Sequence, residues 1–112
     1  MSSATFLKDI VAAFSSAPAG LSDSTLSNVR LQILQLKHDA GMRIEQARIS
    51  RTSAAKRDFA LYSTSHAVLE LIDLYKFSVA AKATDDLPTI AHLLAEHVSA
   101  LLRDPAALPP AK

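Results

Sequence analysis

The chain has 112 residues, 12.0 kDa, 49% of them apolar, with a net charge of +1. That is one domain's length with enough apolar side chain for a core, which excludes wholesale disorder. Twenty alanines and 16 leucines stand against six isoleucines, five valines and two glycines, a mixture that favours helix and argues against a β-sandwich or barrel with its glycine-rich turns.

The apolar spacing predicts four helices. The first runs over 4–16, with Ser3 as its expected N-cap. It places Phe6, Leu7, Ile10, Val11, Phe14 and Ala17 on one side and Thr5, Lys8 and Asp9 on the other. Pro18-Ala19-Gly20 ends it.

The second helix is expected over 23–49, capped by Ser22 or Asp23. Its main stripe is Leu26, Val29, Ile33, Leu36, Ala40, Ile44 and Ala47. At about 100° per residue a second row, Leu31, Leu34, Met42 and Ile49, lies nearly opposite, with His38 inside it. A helix with two opposed apolar faces cannot bury both on one side of a monomeric core. The second row is therefore expected to meet another chain, a two-fold copy being the simplest closed arrangement. The rival is that the first helix folds over it within the same chain.

Ser50-Arg51-Thr52-Ser53 breaks the pattern, and Thr52 or Ser53 is the expected cap of a third helix over 54–82. A single helix from 23 to 82 competes with this hairpin, but it would be about 90 Å long, too long for a compact domain of this size. The third helix centres on Leu61, Val68, Leu71, Ile72, Tyr75 and Val79, flanked by Tyr62, Leu69 and Leu74. Its apolar arc exceeds half the circumference, and its polar strip is Ser63, His66, Glu70 and Asp73. The fourth helix, over 87–103, follows an expected Asp86 cap and carries Pro88 in its first turn. Leu87, Ile90, Ala91, Leu94, Val98, Leu101 and Leu102 face inward; His92, Glu96, Ser99 and Arg103 face outward. The whole reads as an all-α, small antiparallel helical bundle over 1–104, its long second and third helices forming a hairpin. A Pro/Ala-rich tail over 105–112 is expected to be mobile.

Little in the chain points to catalysis. There is no cysteine, so thiol nucleophiles, disulfides and thiolate metal sites are absent. Two isolated glycines make no phosphate loop, and no serine sits in a Gly-x-Ser-x-Gly turn. His66-x-x-x-Glu70 and His92-x-x-x-Glu96 are spaced for a bundle metal site, yet such pairs are commonly helix-surface chemistry, and the Glu-x-x-His pattern of di-metal bundles is missing. No cofactor or metal is expected. His97, at the edge of an apolar stripe, reads as a boundary residue with a hydrogen-bond partner.

Charge is uneven. Residues 30–57 hold seven basic side chains against Asp39 and Glu45, whereas residues 58–112 hold four basic and seven acidic ones. Arg30, Lys37, Arg48, Arg51, Lys56 and Arg57 form a candidate surface for an anionic partner such as nucleic acid. The competing reading is a solvated basic face paired with the acidic C-terminal half. No aromatic lies between Phe14 and Phe59 to stack on bases. The first apolar stretch carries Lys8 and Asp9, no transmembrane run occurs, and a cytoplasmic setting is expected. These features favour a non-enzymatic protein-interaction module, a small helical adaptor, chaperone-like or regulatory subunit, over a nucleic-acid binder. Its expected interface is Leu31, Leu34, His38, Met42 and Ile49, used in a homodimer or on a larger assembly.

Overall fold

A computed structural model describes residues 3–103, which form a helical bundle: α1 Ser3–Ser16, α2 Asp23–Ile49, α3 Lys56–Ala80 and α4 Leu87–Arg103. There is no strand among these residues. The expected C-terminal tail lies outside the described residues, and Ser3, the expected N-cap, is itself the first residue of α1.

The α2–α3 connection is the hairpin, and the single long helix is overturned. Residues that touch across it run in opposite directions: Arg30 with Asp73, Lys37 with His66, Gly41 with Tyr62 and Arg43 with Asp58. In turn α4 packs on α3 and α1 packs on α4, while α1 barely meets α2. Helix α1 therefore does not cover the second apolar row of α2, which removes the intramolecular rival.

The core unites Leu7, Ile10 and Phe14 of α1 with Leu26, Val29, Ile33, Leu36 and Ala40 of α2. Leu61, Val68, Leu69, Ile72 and Tyr75 of α3 join them, as do Leu87, Ile90, Ala91, Leu94, Val98 and Leu101 of α4. The α2 stripe is buried only as far as Ala40; Ile44 and Ala47 are half-buried, because α2 outruns the shorter α1 and α4. At 1.5 Å per residue α2 is about 40 Å long and α1 about 21 Å. The result is an elongated body, 48 × 30 × 19 Å, with the hairpin tip projecting.

Local chemistry corrects several expectations. Ser22 does cap α2, its Oγ accepting from Thr25 N at 3.1 Å. Neither Thr52 nor Ser53 caps α3; Ala55 holds that position without a side-chain bond. Thr52 instead closes α2, its backbone N–H donating to Ala47 O at 2.8 Å and its hydroxyl donating to the same carbonyl at 3.2 Å. Arg51 takes the left-handed conformation this closure requires, φ 56°, as Lys82 does after α3, φ 60°. In place of an Asp86 cap, a 3₁₀ turn over Thr84–Asp86 runs directly into α4, with Leu87 N–H donating to Thr84 O. Ala17 is exposed, and Leu102 is only partly buried. Val79, expected at the centre of α3, is exposed, as are the flanking Tyr62 and Leu74; the apolar arc of α3 is wider than the helices that cover it.

Two polar groups brace this frame. Tyr75 is fully buried, its hydroxyl donating to Pro18 O at 2.6 Å and accepting from Leu21 N at 3.4 Å, which ties the α1–α2 loop to α3. Asp58 is buried in the first turn of α3 and accepts from Arg43 Nε at 2.7 Å.

Candidate interaction face

Among the described residues, the large apolar side chains left exposed all lie on the α2–α3 hairpin. On α2, Leu31, Leu34, Met42 and Ile49 are 41–66% exposed, and His38 is exposed among them. These are the expected interface residues, and no other described residue covers them. Helix α3 adds Phe59, Tyr62, Leu74 and Phe77, which lie beyond the row expected from α2 alone. The apolar excess of α3 was visible in its wide arc. Which part of that arc stayed uncovered depends on where α4 lies.

Gly41 organises the middle of the face. It sits inside an apolar run with no turn to explain it, and the reason is across the hairpin. A Cβ there would lie 3.3 Å from Tyr62 Cε2, so the bare backbone lets the Tyr62 ring seat against α2. Lys37 Nζ stands 5.2 Å from the centroid of the same ring. Tyr62 divides the surface into two shallow grooves. One, of about 290 Å³, is lined by Leu34, Lys37, His38, Gly41, Met42 and Tyr62. The other, of about 350 Å³, is lined by Gly41, Ile44, Phe59 and Tyr62. His38, Met42 and Leu34 thus share a groove with the α3 aromatic.

The basic segment does not form one continuous patch. Arg30 Nε donates to Asp73 Oδ1 at 3.2 Å, and Lys37 Nζ is 3.2 Å from His66 Nδ1. Arg48 forks onto Glu45, with Nε to Oε2 at 3.2 Å. That pairing holds the Glu45 carboxyl below its ordinary range and raises the Arg48 guanidinium, first through the hydrogen bond and then through the attraction of opposite charges. Arg51, Lys56 and Arg57 remain exposed around the hairpin tip, with no ion pair to an acidic residue among the described ones.

The two histidine–glutamate pairs stay apart. His66 Nε2 lies 3.7 Å from Glu70 on α3 and His92 Nε2 lies 3.2 Å from Glu96 on α4, each an exposed pair within one helix. No group of three potential metal ligands assembles among the described residues. His97 is partly buried, with Nδ1 2.8 Å from Leu93 O of its own helix, the boundary role expected of it. No helix among the described residues is long and apolar enough to cross a membrane.

Fold and face together define a small all-α bundle with an uncovered apolar hairpin. No protein family matches this chain, and no match is found among curated proteins or solved structures.

Proposed function

We propose that the chain is a non-enzymatic protein-interaction module, a small helical adaptor or regulatory subunit that docks through the outer face of its α2–α3 hairpin. One observation carries this reading: Leu34, Met42, Phe59 and Tyr62 lie exposed around two adjoining grooves on a helix pair whose opposite side is packed into the core as far as Ala40. Side chains of this size contribute about 1.5–3 kcal/mol each when buried, so a contiguous set left in water marks a surface that a partner covers. The setting proposed is the cytoplasm.

Capture from the host with and without nuclease treatment tests the reading. Wild type should retain a protein partner, its own copy included, after nuclease treatment. Leu34→Glu should lose it, while His92→Ala on α4 should keep it. Identical partners on wild type and Leu34→Glu would refute the docking face. A second reading rests on Arg51, Lys56 and Arg57, which together could meet a phosphate backbone. It requires binding that falls steeply with salt and is abolished by exchanging Arg48, Arg51 and Arg57 for Glu. The engagement of Arg30, Lys37 and Arg48 within the chain makes it the weaker of the two.

A further inference from the structure

We propose that the occupant of this face is a second copy of the chain, packed antiparallel so that the basic tip of each hairpin lies over the acidic stretch of the other. This rests on the hairpin face being the docking surface and adds the identity and direction of what covers it.

Area is the first support. Leu31, Leu34, Met42, Ile49, Phe59 and Tyr62 are 41–66% exposed. Together they offer on the order of 700 Å², close to the roughly 800 Å² that each partner contributes to an ordinary stable interface.

The second support is register. Along α2 four of the five residues of the exposed row are symmetric about Ala40, Leu31 and Ile49 lying nine positions to either side and His38 and Met42 two, while the fifth, Leu34, mirrors onto the exposed Gln46, six positions to either side. A two-fold axis at the level of Ala40, on the exposed face of α2 opposite that buried residue, therefore lays Leu31 against Ile49 of the second copy and His38 against its Met42. Isologous contacts of this kind close on themselves.

Charge sets the direction. At the tip, Arg51, Lys56 and Arg57 are exposed cations with no acidic partner among the described residues. Further along α3 stand the exposed Glu70 and Asp73, and beyond its end the exposed Asp85 and Asp86. Gly41 faces Tyr62, so the same axis crosses α3 near Ser63. Lys56 and Glu70 are then equidistant from it, seven positions on either side, and Lys56 of one copy meets Glu70 of the other. A parallel pairing would instead stack the tip cations on one another, which is unfavourable.

Sedimentation of the full chain over a concentration series provides the test, with far-UV circular dichroism on each variant. Wild type should be a dimer, and Leu34→Glu should raise its dissociation constant about ten-fold or more while remaining helical. If Leu34→Glu unfolds, Phe59→Ser on the exposed side of α3 takes its place. Lys56→Glu should weaken the dimer, and adding Glu70→Lys to it should restore affinity. The chain has no cysteine of its own. Lys56→Cys chains mixed with Glu70→Cys chains should therefore give a disulfide-linked dimer, and Lys56→Cys chains alone should not. A wild-type monomer at every concentration, or a Lys56→Cys chain that links to itself, overturns the inference. If the wild type is monomeric but Leu34→Glu still loses a host protein, the docking face stands and the second copy does not. If Leu34→Glu changes neither mass nor partners, both fall.

Discussion

Tyr75 shows how one polar atom orders a chain that is otherwise held by apolar contact. Its ring has no exposed surface, and its hydroxyl serves the backbone of a loop more than 50 residues away, at Pro18 and Leu21. Replacing it with Phe keeps the ring and strands a partly buried carbonyl. Tyr75→Phe should cost about 1–2 kcal/mol in urea unfolding, with little change in helix content. Gly41 is the opposite case, a residue kept small for its neighbour. Alanine there gains helix propensity of about 1 kcal/mol. The Cβ presses on Tyr62 at 3.3 Å, but that ring is 42% exposed and can swing outward. Gly41→Ala should therefore raise the unfolding midpoint while altering the groove, so that stability increases and partner binding through the hairpin face decreases. A loss of stability would mean the Tyr62 ring is held in place more firmly than its exposure implies.

At the scale of elements, the hairpin turn decides the architecture. Between Ser50 and Ala55 the chain reverses without a single glycine, although the closure of α2 places Arg51 at φ 56°. Left-handed backbone is costly for a residue with a Cβ and nearly free for glycine. A cation at a helix C-terminus recovers part of that cost through the helix dipole. Arg51→Gly should stabilise the fold by about 0.5–1 kcal/mol, read from denaturant midpoints at an unchanged slope. The turn was legible as a loss of apolar periodicity from Ser50 onward. Its capping was not, because Thr52 suits the start of a helix as well as the end of one, and only the position of Ala47 O shows which end it serves.

Across the whole molecule, stability is concentrated at one end. The base of the hairpin is packed by α1 and α4, whereas no residue of α2 beyond Ala40 is buried. Amide exchange in the monomer should be slowest around Val29, Ile33, Ile72 and Leu94 and fastest from Arg43 to Arg57, where local opening exposes little apolar surface. Uniform protection along α2 at dilute concentration would contradict this, and protection that appears at the tip only on raising concentration would report the second copy.

What the amino-acid sequence determined by itself is whatever depends on nearest neighbours along the helix axis. Helix identity, the bounds of α2 and α4 and the two opposed rows of α2 all follow from alanine and leucine content and from a period of 3.6, while the choice of Ser22 over Asp23 as cap came from the structure. Only the tertiary structure decided which rows are covered. Packing α1 on α4 rather than on α2 left Leu31, Leu34, Met42 and Ile49 in the open, and the placement of α4 left Phe59, Tyr62, Phe77 and Val79 beside solvent. It also dispersed the basic run, turning Arg30 toward Asp73 and Lys37 toward His66 and Tyr62, pairs 25 to 43 residues apart in the chain. A helix's pattern states how much apolar surface it must hide, but the partner that hides it is set by competition among distant segments for the same few faces.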